Sequence, residues 1–246
     1  MSIVSIRGVI EGRAVTREQI LAWEARRLPK AARRIGLAAP SGDLAARRLA
    51  FADAKLALGS DEIRRRLATE LRLADLVSRG SARLARGRRV ASTCDLYVRG
   101  GDAGAFVDWF TDDRRPDYVR TMIAANPDHL MIGTAADGRQ EVIETTGGSP
   151  LPTRFFVDYA DVTTLRTPRD GDFPVHASGI ARAASGLAIG GVRHQFRDRD
   201  DGFHARLLVE FPSTLLPPMV HQHRWHLAAE FANWIEFAFT PDPPNP

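Results

Sequence analysis

A run of strand-like segments that ends in one long apolar helix constrains this chain most. Pro217 and Pro218 stop whatever precedes them, because proline has no N–H to donate. Leu227, Phe231, Trp234 and Ala238 then recur at helical spacing and form an apolar stripe. His226 and Glu230 are four apart, so one helical turn puts an imidazole and a carboxylate on one face. Upstream, residues 91–98, 129–133, 141–145, 155–159, 175–183, 188–196 and 203–211 read as strands separated by turn signals. Short helices are expected at 103–110 and 118–125. Hairpins closed by one helix make an α+β arrangement, in which an antiparallel sheet curls around the helix and leaves an apolar cavity.

Two details of this part bear on chemistry. Asn126-Pro127-Asp128 is a turn that delivers His129 at the start of a strand. Ala135-Ala136-Asp137-Gly138 is a hairpin signal, which brings His129 near Glu144 on the paired strand. On the 203–211 strand, His204, Arg206 and Leu208 share one face, and Phe203, Ala205, Leu207 and Val209 share the other.

Residues 1–90 read as a helical subdomain and residues 91–246 as a second domain. Thr16-Arg17-Glu18-Gln19 is a capping-box pattern that opens a helix ending near Pro29. A second helix spans 44–58, with Leu49, Ala52, Leu56 and Phe51 inward. After Gly59-Ser60, Asp61 and Glu62 sit in the first turn of a third, where negative charge suits the dipole. Its stripe is Ile63, Leu67, Leu71, Ala74 and Val77. The stretch 80–89 is the expected boundary or linker.

Net charge is +4 over 246 residues, but residues 1–90 carry +11 and residues 91–246 carry −7. Only Lys30 and Lys55 are lysines. Arginines solvating helix faces explain this balance, so nucleic acid is not an expected partner. The opposite charges also help the two parts dock. No run of about 18 apolar residues is present, so no membrane span is expected. The N-terminus lacks a signal-peptide core, and the single Cys94 excludes an internal disulfide and an all-cysteine zinc site. A cytoplasmic protein is the simplest reading.

Three segments thus offer metal-type groups: His129, Glu144, and His226 with Glu230. Nitrogen and oxygen donors without sulfur fit zinc, or manganese or iron. The plain alternative is a hydrogen-bonded core histidine at His226, an exposed Glu230 and a turn residue at His129. His221 and His223 are further candidates by spacing and are expected at the rim, with His223 directed to solvent.

The order of motifs resembles the diacetylphloroglucinol hydrolase family, which includes phloretin hydrolases. The matching pieces are Phe106-Val107-Asp108-Trp109-Phe110, Pro127-Asp128-His129, Val142-Ile143-Glu144-Thr145-Thr146-Gly147, Arg193-His194-Gln195-Phe196-Arg197-Asp198, 202–211, and His226-Leu227-Ala228-Ala229-Glu230-Phe231-Ala232-Asn233. They cover about residues 91–240. The resemblance implies a helix-grip fold of the START or pollen-allergen type. It implies zinc held by two histidines and two glutamates, which match His129, Glu144, His226 and Glu230 by motif.

The implied reaction is hydrolysis of a carbon–carbon bond between an acyl group and a phenolic, phloroglucinol-like ring or a related β-dicarbonyl. Another divalent metal is the alternative to zinc. His194 is the candidate for proton transfer or for binding a phenol oxygen. Arg206 is the candidate to orient a phenolate, with pairing to an acid such as Glu210 as its plainer role. Three departures point to a less polyphenolic substrate. Thr111-Asp112-Asp113-Arg114-Arg115 replaces an aromatic, histidine-rich stretch of the family. Thr121 stands near the place of a family tyrosine, with Tyr118 one turn earlier. Met131-Ile132 replaces polar substrate-binding residues. The expected partner is a small aromatic molecule, with a homodimer as a further expectation. The rival reading is a non-catalytic or cyclase-like binder of an apolar aromatic ligand in the same cavity, which needs no metal.

Overall fold

A computed structural model describes residues 4–135 and 137–240. Ala136, part of the expected hairpin turn, lies outside them, as do residues 1–3 and 241–246. The described chain is α+β, with nine strands in one antiparallel sheet and seven helices. The strands are β1 (Ser5–Ile10), β2 (Arg13–Val15), β3 (Arg89–Arg99), β4 (His129–Thr134), β5 (Gln140–Glu144), β6 (Thr153–Asp158), β7 (Val175–Arg182), β8 (Ala188–Arg199) and β9 (Gly202–Pro212). Their order across the sheet is β2-β1-β3-β9-β8-β7-β6-β5-β4.

The helices are α1 (Arg17–Arg34), α2 (Leu44–Leu58), α3 (Ser60–Arg66), α4 (Ala68–Ala85), α5 (Ala103–Thr111), α6 (Tyr118–Ala124) and α7 (Pro217–Ala238). Prolines occupy the first positions of α7, where a missing N–H costs nothing. From Leu227 to Ile235 every residue of α7 is buried, so the helix is enclosed rather than amphipathic. Sheet residues Leu96, Phe203, Ala205 and Leu207 meet Leu227, Phe231 and Trp234 in the main core. A second core joins Leu28, Ile35, Phe51, Ile63 and Leu67 to Leu130, Met131 and Ile143 of the β4–β5 hairpin. The N-terminal helices therefore back the strands that carry His129 and Glu144.

Several expectations are corrected here. Residues 5–15 are a β-hairpin, and β1 pairs with β3, so the first 90 residues are not purely helical. Alternation of buried and exposed residues in Ser5–Ile10 is the strand signal. Helix α1 opens on the expected capping box but continues through Pro29 to Arg34, because Leu28, Ala31 and Ala32 are buried in the second core. The third expected helix is broken at Leu67 into α3 and α4. No linker occupies 80–89: α4 runs to Ala85, and β3 starts at Arg89 after a left-handed Arg86 and Gly87. On α2, Phe51 and Ala52 are buried, whereas Leu56 is 42% exposed.

Candidate metal centre

The site is assembled from two strands and one helix. In the β4–β5 ladder His129 pairs directly with Glu144, and an irregularity between His129 and Met131 sets the histidine apart from the regular register. The i,i+4 pair of α7 supplies His226 and Glu230. All four side chains are buried.

Their donor atoms converge. His129 Nε2 lies 2.8 Å from Glu230 Oε2, 3.2 Å from His226 Nε2 and 3.6 Å from Glu144 Oε2. His226 Nε2 lies 3.3 Å from Glu230 Oε2 and 3.8 Å from Glu144 Oε2. A tetrahedral zinc with ligands at about 2.0–2.1 Å separates those ligands by roughly 3.3 Å. The observed separations straddle that value, so the donor set fits such an ion. His129, His226 and Glu230 are the close trio, two imidazoles and one carboxylate; Glu144 is the outer member. Glu144 also groups with His226 and His223.

The electrostatics of these groups follow from crowding in a dry site. Burial alone would push His226 down, but the Glu230 and Glu144 carboxylates outweigh it and hold it up at about 9. Burial likewise acts to raise Glu230, yet His226 and His129 bring it well below the usual carboxylate range. Glu144 is raised, chiefly by burial. Two ring nitrogens and two carboxylates face one another, so protons must hold the group together unless a cation does.

Outer contacts orient these side chains. His129 Nδ1–H donates to the Met122 carbonyl at 3.0 Å, which leaves Nε2 directed at the cluster. The His129 ring stacks on Trp234, with centroids 5.5 Å apart. The Gly147 N–H stands 3.4 Å from His226 Nδ1, the long limit of a hydrogen bond. A cation held at Nε2 would require the proton on Nδ1, and the Gly147 N–H could then not donate there. Asp128, adjacent to His129, takes both arms of Arg27 at 2.8 Å and a hydroxyl bond from Thr145.

A cavity of about 340 Å³ opens onto the cluster, reached by His129, Glu144 and Glu230. Its walls are mainly apolar, with Phe110, Ile132, Phe155, Val192, Phe231 and Trp234 among them. His194 lies in the wall, buried, with its ring centroid 4.6 Å from that of Phe231. Its Nδ1 accepts the Leu208 N–H at 3.4 Å, and burial pushes the imidazole down to about 4. A neutral His194 therefore carries its proton on Nε2.

Arg206 is not brought to this cavity. It stands on the opposite face of β9, bonded to Asp170 at 2.6 Å, near Asp95 at 3.5 Å, and over the Phe173 ring. Strand alternation puts it there, on the face it shares with His204. Nor does Glu210 serve as its acid, since that carboxylate accepts the Arg166 and Thr167 amides. His223, expected at the rim, is instead buried in the cavity wall. It bonds Ser92 Oγ at 2.9 Å and stacks on His226 with centroids 5.2 Å apart. Its three-residue offset from His226 was the signal that placed it on the same helix face. His221 is exposed and pairs with Glu11. Lys55 was also missed: it is 2% exposed among core residues, and its hydrogen bonds go to backbone next to the site.

Comparison with protein-family models and with curated proteins finds no match. No described helix is long and apolar enough to cross a membrane.

Proposed function

We propose that this protein is a zinc-dependent hydrolase that cleaves a carbon–carbon bond between an acyl group and a phenolic ring or related β-dicarbonyl. The observation that carries the reading is the convergence of His129, Glu144, His226 and Glu230 at an apolar cavity. The enclosure of α7 by a single antiparallel sheet supports the helix-grip description. A single buried cysteine is in keeping with a cytoplasmic protein.

In this reading His129, His226 and Glu230 hold the ion, with Glu144 as the fourth donor. A divalent zinc supplies a Lewis acid for an acyl carbonyl and lowers the pKa of water toward ~7. The chain's own residues do the rest. The apolar walls exclude bulk water and take up the ring and the acyl chain. His194, neutral at pH 7, offers its Nε2–H to a phenol or carbonyl oxygen and so orients the ring. Its lowered pKa suits it to binding rather than to service as a protonated acid. Overall one water is consumed: its hydroxyl would add to the acyl carbon, the bond to the ring carbon would break with its electron pair on the ring, and that carbon would take the water's remaining proton. The products are a carboxylic acid and the deacylated phenol. Arg206 has no part in this, because it lies on the other face of the sheet.

The largely apolar lining also serves the rival, a binder of an apolar aromatic ligand. Incubating the zinc-loaded protein with a panel of acylphenols and aryl β-diketones, with products followed by mass spectrometry, separates the two. Release of acid and phenol, abolished in a His226→Ala/Glu230→Ala variant, supports the hydrolase. Ligand binding without product, unchanged by metal removal, supports the binder and overturns the hydrolase.

A further inference from the structure

We infer that Lys55 is a positioning residue for the metal centre: from α2 it ties the backbone of His129 to the end of α6 and so fixes the direction of the His129 ring. The inference rests on the metal reading above. Lys55 is one of two lysines in the chain and is buried. Its Nζ donates to the Ile123 carbonyl at 2.9 Å and to the His129 carbonyl at 2.7 Å. Met122 and Ile123 belong to the last turn of α6, whose carbonyls have no partner within the helix. The Met122 carbonyl takes His129 Nδ1–H, and the next carbonyl takes Lys55. A cation at a helix C-terminus is also favoured by the dipole.

Helix end, ligand ring and ligand backbone thus form one closed set of hydrogen bonds, with Lys55 as the member that spans the gap. Burying an ammonium is costly. The two carbonyls and the nearby Asp128 and Glu24 carboxylates offset part of that cost; burial still brings Lys55 down to about 7, and its amine donates to both carbonyls in either protonation state. Without Lys55, two buried carbonyls lose their donor. The junction between α6 and β4 then has less to hold it, and His129 Nδ1–H is less firmly kept on Met122.

Lys55→Met keeps the apolar stem and removes Nζ with its two hydrogen bonds. Zinc affinity is read by competition with a chromophoric chelator, and the His129 Nδ1–H signal by ¹⁵N-edited NMR on the metal-free protein. Phe51→Leu, a buried change on the same helix, controls for simple destabilisation. The expected result is zinc binding about 10- to 100-fold weaker in Lys55→Met, with faster exchange of the His129 Nδ1–H, and affinity unchanged in Phe51→Leu. Affinity within twofold of wild type, or an equal loss in Phe51→Leu, overturns the inference. Where Lys55→Met does not fold, Lys55→Arg, which keeps the charged donors, is compared with Lys55→Gln. A loss in Gln alone supports the role, and equal affinities overturn it. Wild-type protein that takes up no zinc ends the metal reading, and the exchange rate of the metal-free His129 Nδ1–H then decides for or against Lys55.

Discussion

Arg27→Met should destabilise the metal-free protein by about 3 kcal/mol, near the lower end of the 3–5 kcal/mol for breaking a buried ion pair. Asp128 has no solvent exposure, and both of its oxygens receive Arg27 N–H groups at 2.8 Å. Methionine retains the packing of the arginine stem but leaves the carboxylate with only the Thr145 hydroxyl as a side-chain hydrogen-bond donor and without its directly bonded cation. The lower end applies because the Arg27 side chain keeps 16% exposure, so some water already reaches the pair. For a chain of this size the loss corresponds to roughly 6–12 °C in Tm. Arg99→Met is the internal control. Its ion pair with Asp201 is 79% and 51% exposed and is worth about 0–1 kcal/mol. Urea unfolding at pH 7 with excess chelator removes any stabilisation from bound metal. Adding Asp128→Asn to Arg27→Met should recover part of the loss, because the uncompensated charge is gone. A cost in Arg27→Met no larger than in Arg99→Met, or no recovery in the double variant, would refute the reasoning.

Two further outcomes follow from the site's surroundings. Burial lowers His194 from about 6.5 in the unfolded chain to about 4 in the fold. The unfolded chain thus binds the extra proton between those values. The stability His194 contributes is full above about pH 6.5 and falls as pH drops toward 4, by up to about 1.4 kcal/mol per pH unit. Unfolding of wild type and His194→Asn across that window should differ in slope; equal slopes would count against a neutral buried His194. Gly147→Ala should cost about 2–5 kcal/mol from a left-handed backbone plus overpacking. At this position φ is 56°, and an added Cβ would meet the Gln222 backbone at 2.5 Å. Zinc affinity should fall with it, since the β5–β6 connection lies against His226; a stable, fully loaded variant would contradict that packing.

The sequence carried the parts of the site that local rules encode. A four-residue offset in a strongly apolar helix put His226 and Glu230 together, and a turn before His129 with a hairpin signal between the two strands set His129 against Glu144. The capping box at Thr16 was legible for the same reason: its hydrogen bonds span three residues. What local rules miss is decided by tertiary packing. Pro29 ends an isolated helix, but burial of Leu28 and Ala31 carries α1 past it. His223 reads as a rim residue although its offset puts it on the face of His226, and the seating of α7 on Ser92 and Phe211 is what fixes it inward. Arg206 was misassigned by reading its charge ahead of its strand parity, which places it with His204 away from the cavity. Lys55 carried a signal in plain view, a lone lysine among inward-facing residues, and its meaning needed the two carbonyls it reaches.

The central claim is that four side chains from two strands and a helix bind one metal ion, and elemental analysis of the purified protein tests it most directly. The expected result is about one equivalent of zinc, or of another divalent metal, per chain, reduced to background in His129→Ala and in His226→Ala/Glu230→Ala variants that remain folded. Protein that is folded, has never met a chelator and holds no stoichiometric metal would contradict the claim. So would variants that load as fully as the wild type.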